Sequence, residues 1–190
     1  MKKIFFQGIE GAYSQIAAKE AYPDAETIPL KTFDECFKKA DEDESVSIII
    51  PESNRITGNI GIEYLIFKYR LNIYAEHFHS VQHHLLGVPG TKIKDIKNVY
   101  SHGQALSQSS KFIKKNNFIE NVRADTAGSA KYISESKNKN DAAIASKLSA
   151  QIYNLDIIAS NIENKSEGNN FTRFLVMGKK ISQPEFKKGK

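Results

Sequence analysis

The chain has 190 residues, of which 40% are hydrophobic and 26% are charged, and its formal net charge is +5. That length and composition are typical of a globular protein with one domain or two small lobes. No run of about eighteen apolar residues is present, which excludes a membrane-spanning helix, and the scattered lysines lack the motifs of nucleic-acid-binding proteins. The single cysteine, Cys36, excludes an internal disulfide and favours the reducing cytoplasm.

The first part of the chain alternates between strand and helix patterns. Thr32 and Glu35 have the spacing of a capping box, and Ser14 lies near the start of a helix, where unpaired backbone N–H groups favour an anion. We expect the third strand to stop at Pro51, which leaves residues 51–58 as a polar loop at its carboxyl end. Hydrophobic periodicity predicts strands at 3–7, 25–30 and 46–50, and helices at 16–22, 33–40 and 59–69.

The same alternation continues to the end of the chain. Strand patterns at 71–78 and 81–88 have little between them, as expected where a chain crosses from one lobe to another. Ser101 is the predicted N-cap of a helix that runs to Asn116, and Thr172 and Arg173 lie in a turn before a last strand. The remaining predictions are strands at 99–100, 122–125, 142–145, 155–159 and 174–177, and helices at 93–96, 126–135 and 147–153.

Repeated strand, polar loop and helix predict the α/β fold class, with two doubly wound α/β lobes and a cleft between them, as in type II periplasmic-binding proteins. Lobe 1 is expected to comprise residues 1–78 plus 168–180, and lobe 2 residues 79–167, followed by a frayed tail at 181–190. Two crossovers, near residues 76–84 and 160–170, would join the lobes. The site is expected in the cleft, because ligand loops lie at the carboxyl ends of the strands.

The histidines and the cysteine are predicted to be structural. Four of the five histidines lie within eight residues of each other, but no carboxylate is placed to complete a metal site at helical spacing, and we expect no metal. Cys36 shares a helix face with apolar neighbours, which favours a core position over a nucleophile. The four histidines are His77, His79, His83 and His84.

Seven motifs occur in order along nearly the whole chain: Gly8-x-x-Gly11-Ala12-Tyr13-Ser14; Pro51 to Gly58; Glu76 with Val81 to Leu85; Ser101 to Leu106; Asp125-Thr126-Ala127; Ala142 to Ser146; and Asn170-Phe171-Thr172-Arg173-Phe174. With these motifs the chain resembles the prephenate dehydratase family over residues 4 to 178. The resemblance implies a carbon–oxygen lyase of L-phenylalanine biosynthesis that converts prephenate into phenylpyruvate, water and carbon dioxide. It also implies that no cofactor is used and that the protein is a homodimer. The composition leads us to expect a cytoplasmic protein that has neither nucleic acid nor membrane as a partner.

The resemblance also implies roles for particular residues. Thr172 would polarise the leaving hydroxyl, and Arg173 would either offer a fork to a substrate carboxylate or brace its loop through a salt bridge. Arg55 as an additional carboxylate contact is our inference and not part of the family pattern. The expected catalytic residues are Thr172, Arg173, Ser14 and Asn54, and the expected substrate-binding residues are Ser101, His102, Gln104, Thr126, Asn170, Phe171, Phe174 and Arg55.

Three departures from the family pattern leave alternatives open. Ser53 and Arg55 replace the glutamate and the serine of the Pro51 loop, so only Asn54 keeps its place there. Gly103 replaces a proline. The chain also ends where many family members continue into a phenylalanine-binding ACT domain; either this form lacks that feedback or the sequence is a piece of a longer chain. The alternatives are arogenate dehydratase, for which Glu52 could pair with an ammonium group, and a non-catalytic anion-binding protein of two lobes.

Overall fold

A computed structural model of the chain describes residues 2–164 and 170–180. The predicted tail at 181–190 and the glycine–asparagine turn at 168–169 therefore lie outside the described residues. The strands are β1 (Lys3–Gln7), β2 (Glu26–Leu30), β3 (Ser47–Asn54), β4 (Gly58–Asn59), β5 (Asn72–Ser80), β6 (His84–Gly87), β7 (Asn98–Ser101), β8 (Ile119–Val122), β9 (Asp141–Ala145), β10 (Asp156–Ala159) and β11 (Phe171–Gly178). The helices are α1 (Tyr13–Ala21), α2 (Phe33–Glu42), α3 (Glu63–Tyr69), α4 (Gly103–Gln108), α5 (Ser110–Lys115), α6 (Thr126–Ser136) and α7 (Lys147–Ile152).

The contacts divide the chain into two compact units. Among the described residues, unit 1 consists of residues 2–7, 14–79 and 171–180, and unit 2 consists of residues 8–13, 80–164 and 170. Residues 8–13, which the sequence pattern places in the first lobe, pack with unit 2. The position of the site in a cleft between two lobes stays a prediction, as do the exact domain limits.

Unit 1 is built on a sheet in the order β2-β1-β3-β11-β5, with the short β4 beside β3. The strands β1, β2 and β3 are parallel, whereas β11 runs antiparallel to β3. Helix α2 packs Phe37 on the sheet residues Ile48 and Ile50, which are all fully buried. Thr32 caps this helix as predicted, because its hydroxyl accepts a hydrogen bond from the Glu35 backbone N–H at 3.1 Å.

Unit 2 is built on a five-stranded sheet in the order β10-β6-β9-β7-β8. Two consecutive residues of β6 belong to different hydrophobic clusters. Leu85 packs with residues of α4 and α5, and Leu86 packs with residues of α6 and α7. Because side chains of a strand alternate between its faces, the sheet is covered by helices on both sides. The described residues thus confirm the α/β fold class. In this sheet β6 alone runs antiparallel, and β10, which pairs with β6, has the same direction as β7, β8 and β9.

Several sequence predictions of local structure are wrong. The strand predicted at 122–125 is β8 at Ile119–Val122, and the single helix predicted to run to Asn116 is the two helices α4 and α5. Strand β3 does not stop at Pro51 but continues to Asn54, because β11 pairs with it along that length. For the same reason Thr172 and Arg173 lie inside β11 and not in a turn. Helix α4 is capped by His102, and Ser101 is the last residue of β7. Among the described residues, no helix is both long enough and apolar enough to cross a bilayer.

Candidate active site

A hydrogen bond between two buried polar side chains joins β3 and β11 of the unit 1 sheet, at the point where β3 ends. Asn54 ends β3 and lies opposite Thr172 in the register of β11. Its amide nitrogen donates a hydrogen bond of 2.9 Å to the Thr172 hydroxyl, and both residues are less than a tenth exposed. The side-chain oxygen of Asn54, Oδ1, accepts a hydrogen bond from the Ile56 backbone N–H at 2.9 Å. The loop after β3 therefore fixes the amide, and the amide fixes the hydroxyl.

Arg173, the next residue of β11, is held by two carboxylates. Its Nε and Nη2 atoms each lie 2.8 Å from Glu76 Oε2, and Nη1 lies 3.4 Å from Glu52 Oε2. The hydrogen bond to Glu76 and the charge of both carboxylates raise the pKa of Arg173 above its usual value. Of the two roles predicted for Arg173, these contacts correspond to the bracing salt bridge and not to an open fork for a substrate carboxylate.

A β-bulge accounts for the position of Glu52. The register passes from Arg173 opposite Ser53 to Phe174 opposite Pro51, so Glu52 is the extra residue of β3. Bulges redirect side chains, and here the Glu52 carboxylate accepts the Ser53 hydroxyl at 2.5 Å as well as Arg173. The family pattern has its glutamate at the position of Ser53, and the structure places the neighbouring glutamate beside the serine that replaces it.

Unit 2 contains a second buried polar network. His83, 2% exposed, has its Nδ1 atom 2.8 Å from the Tyr13 hydroxyl and its Nε2 atom 2.7 Å from Gln108 Oε1. The same amide oxygen accepts a hydrogen bond of 2.8 Å from Asn170. Because Gln108 Oε1 is an acceptor, Nε2 of His83 donates to it. The Tyr13 hydroxyl has one hydrogen and two partners at 2.8 Å, His83 Nδ1 and the Gln82 carbonyl oxygen, and it donates to the latter.

Burial sets the protonation states in this network. Burial lowers the pKa of His83. This effect outweighs the hydrogen bond to Gln108 and the charge of Glu163, which both raise that pKa. Burial raises the pKa of Tyr13, an effect that the charge of Glu163 reinforces. Tyr13 therefore stays a protonated donor and His83 a neutral ring near neutral pH.

Two members of the unit 2 network differ from the sequence prediction or are absent from it. The sequence places His83 on the polar face of a strand, whereas it lies buried just before β6, because apolar periodicity does not show which residues cover a polar side chain. Gln108 is not part of any of the seven motifs. A usable signal existed, since Gln104 and Gln108 are four residues apart and would share one face of a helix.

Several predicted substrate-binding residues have structural contacts. Ser101 is fully buried and donates to the Ile144 carbonyl oxygen at 2.5 Å. His102 Nδ1 accepts from the Gln104 backbone N–H at 3.3 Å as the cap of α4. Thr126 begins α6, but the Asp125 carboxylate already occupies the cap and accepts from Gly128 at 2.5 Å. The substrate-binding roles of Ser101, His102, Gln104 and Thr126 stay predictions.

The remaining predicted residues differ in exposure. Ser14 is buried in the first turn of α1, as its predicted place at a helix start requires. Arg55 is exposed, and its backbone N–H donates to the Phe171 carbonyl oxygen at 2.9 Å. Phe174 is 1% exposed, which places it in the interior of unit 1, whereas Phe171 is partly exposed.

One carboxylate contacts two of the histidines that the sequence places on the polar face of a strand. Glu20 of α1 accepts from His77 Nε2 at 2.8 Å and from His79 Nδ1 at 2.9 Å. The sequence pattern does not reveal this partner, because Glu20 lies 57 residues before His77 in the chain. Within residues 2–164 and 170–180, no group of three or more His, Cys, Asp or Glu residues has a metal-binding arrangement. Cys36 lies in the core of unit 1 as predicted.

Comparison with known proteins gives one family. A family model described as prephenate dehydratase matches residues 4–182. The chain is 42% identical over 184 residues to the arogenate dehydratase/prephenate dehydratase 1, chloroplastic, of Arabidopsis thaliana, with 96% of this chain and 46% of that protein covered. The chain spans about half the length of the curated relatives it matches.

Solved structures extend the likeness to the fold. GqqA, described as a novel type of quorum-quenching acylase, is 32% identical with a TM-score of 0.86, over 94% of this chain and 64% of that one. An ABC transporter structure from Parabacteroides distasonis is 14% identical with a TM-score of 0.54, over 94% of this chain and 65% of that one. The second likeness shows a shared fold alone.

Proposed function

This chain belongs to the prephenate dehydratase family, and we propose from this premise that it converts prephenate into phenylpyruvate, water and carbon dioxide. The observation that carries the proposal is the buried Asn54–Thr172 hydrogen bond beside the doubly anchored Arg173. These contacts hold a hydroxyl on a rigid sheet, where a leaving group can be polarised without reorganisation.

The reaction needs one proton at the leaving oxygen. When the ring carboxylate leaves as carbon dioxide, the electron pair of the broken C–C bond moves through the ring and expels the hydroxyl. That oxygen takes up a proton and departs as water. A threonine hydroxyl is a weak acid, so the proposed role of Thr172 is to donate a hydrogen bond to the departing oxygen. Its oxygen accepts from Asn54, which strengthens its own O–H as a donor.

The proposed role of Arg173 is to position Thr172. Two carboxylates accept hydrogen bonds from the Arg173 guanidinium. The side chain can therefore hold β11, and with it the Thr172 hydroxyl, in one position. Strand β11 carries Thr172 and Arg173 as neighbours, and rotation of the guanidinium would break contacts to both Glu52 and Glu76. Arg173 is 40% exposed, so its contribution to overall stability is expected to be small.

The second candidate substrate is arogenate, in which an ammonium group replaces the keto group of the side chain. The carboxylates of Glu52 and Glu76 outnumber the one guanidinium of Arg173, so this cluster carries a formal charge of −1. A negative cluster favours a cationic group on the substrate. The dual name of the Arabidopsis thaliana relative supports testing both substrates.

The deciding experiment measures both substrates with three purified proteins. The unmodified chain is expected to form phenylpyruvate from prephenate or phenylalanine from arogenate, Thr172→Ser to keep a measurable part of that rate, and Thr172→Val to lose it. If the unmodified chain binds either compound but turns over neither, the proposal of an enzyme is wrong and a non-catalytic binder is the remaining candidate.

We further propose that the protein acts in the cytoplasm, in phenylalanine biosynthesis, as a homodimer. The family resemblance supports the pathway and the dimer, and one buried cysteine suits a reducing compartment. Light scattering decides the assembly, because a chain of 21.3 kDa gives twice that mass as a dimer. A concentration-independent monomer would contradict it.

A further inference from the structure

Several hydrogen bonds hold the turn Gly8–Tyr13 within unit 2. By sequence it is the link between β1 and α1, which both belong to unit 1. By contact it leaves unit 1 after Gln7, packs with unit 2, and returns to unit 1 at Ser14. A connecting turn that packs away from the elements it connects needs specific contacts to hold it.

Two buried serines of α7 supply the first of these contacts. The hydroxyls of Ser146 and Ser149 both donate to the Gly11 carbonyl oxygen, at 2.7 and 2.9 Å. The two serines are 1% and 0% exposed. Ser146 also accepts the Ser149 backbone N–H at 3.0 Å as the cap of α7. Ser146 Oγ also lies 3.1 Å from Ser149 Oγ, so the two hydroxyls and the Gly11 carbonyl group form one buried cluster.

The neighbouring peptide is fixed as well, and the fit is close. The Tyr153 hydroxyl, just after α7, donates to the Glu10 carbonyl oxygen at 2.7 Å. Gly11 has a φ of +89°, and a Cβ there would lie 2.6 Å from Ser149 Oγ and 3.0 Å from its Cα. The turn is therefore packed against α7 in a backbone conformation that residues other than glycine rarely adopt.

The turn ends at Tyr13, whose hydroxyl contacts His83 in the unit 2 network. The Tyr13 hydroxyl lies 2.8 Å from both His83 Nδ1 and the Gln82 carbonyl oxygen. Displacement of Gly11 would also displace Tyr13, two residues further along the chain, and weaken the contact between its hydroxyl and His83 Nδ1. We propose that Ser146, Ser149 and Tyr153 are positioning residues that hold the Gly8–Tyr13 turn so that the Tyr13 hydroxyl keeps its hydrogen bond to His83 Nδ1 and holds the ring in place.

The effect on turnover rests on the proposed function, whereas the effect on the turn and on His83 does not. Two variants of the full chain test it: Ser149→Ala, and Tyr153→Phe, which keeps the ring and removes one donor. Hydrogen exchange is measured on residues 8–13, and the ¹⁵N shifts of the His83 ring are assigned by comparison with His83→Gln. Ser129→Ala is the matched control, since Ser129 is also fully buried and donates to a carbonyl oxygen of unit 2, that of Asp125.

We expect about fivefold faster exchange in residues 8–13 in both variants, the factor that corresponds to about 1 kcal/mol for one buried hydrogen bond. The His83 Nδ1 shift moves toward that of an unbonded ring nitrogen, and kcat/KM falls about tenfold, mainly in kcat. Ser129→Ala changes none of these. Unchanged exchange and an unchanged His83 shift in both variants would overturn the proposal. If the unmodified chain has no turnover, the proposed function fails, while exchange and the ring shift still decide whether α7 positions the turn.

Discussion

Replacement of Thr172 by valine removes one hydroxyl and keeps the branched shape of the side chain. The hydroxyl accepts from Asn54 at 2.9 Å in a place where both residues are less than a tenth exposed. Loss of a buried acceptor costs about 1–3 kcal/mol, because the donor left behind is not rehydrated. We expect the free energy of unfolding of Thr172→Val to fall by about that amount, and that of Thr172→Ser by less.

Activity should fall far more than stability. Removal of one hydrogen-bond donor to a developing charge typically lowers kcat by about 10² to 10³, which corresponds to roughly 3–4 kcal/mol. A domain with 5–15 kcal/mol of stability stays folded after a loss of about 1–3 kcal/mol. Steady-state assays with the substrate that is turned over, combined with urea unfolding of the same samples, separate the two effects.

A double-mutant cycle with Asn54→Ala completes the test. If the amide acts through the Thr172 hydroxyl, the loss of activity in the double variant will be clearly smaller than the sum of the two single losses. Full kcat in Thr172→Val would refute the reasoning, and so would strict additivity of Asn54→Ala and Thr172→Val.

Three further predictions follow from the described contacts. Glu76→Gln removes the charged partner of Arg173, and we expect kcat/KM to fall about tenfold while the free energy of unfolding changes by less than about 1 kcal/mol, because the pair is exposed. Burial lowers the pKa of His83 below 6.5, so the unfolded chain binds more protons below that pH. Stability should therefore fall as the pH falls from 6.5 towards the folded pKa, by at most about 1.4 kcal/mol per pH unit for this group, and less steeply in His83→Gln. Gly11→Ala combines a φ of +89° with a contact of 2.6 Å to Ser149, and we expect a loss of more than about 2 kcal/mol in urea unfolding.

Each of these predictions has a matched control or a contradicting result. Asp34→Asn breaks a comparably exposed ion pair of the same length, 2.8 Å from Lys68, and should leave kcat/KM unchanged. An unaltered slope of stability against pH in His83→Gln would show that this ring does not titrate as argued. Gly90→Ala tests backbone strain alone, because Gly90 has a φ of +77° and a Cβ there would meet nothing closer than 3.7 Å. Equal losses in the two glycine variants would contradict the close fit to α7.

The sequence predicted the strands and helices well where burial dominates. Ile48 to Ile50 and Ala142 to Ala145 are apolar runs fully enclosed by protein, and both form strands. Periodicity failed where pairing decides the outcome. Polar residues such as Ser53 and Arg173 carry no apolar signal, yet they extend β3 and β11 because the two strands pair with each other.

The sequence by itself determined the α/β class, the family, and the presence of Asn54, Thr172 and Arg173 in recognisable motifs. Only the tertiary structure decided that Asn54 bonds Thr172 across 118 residues of sequence, that a bulge brings Glu52 to Arg173, and that the turn at Gly11 belongs to unit 2. The physical reason is that local propensity and hydrophobic burial are encoded by near neighbours in the chain. Hydrogen bonds between distant segments depend on strand register and helix packing, which the pattern of apolar residues alone does not specify.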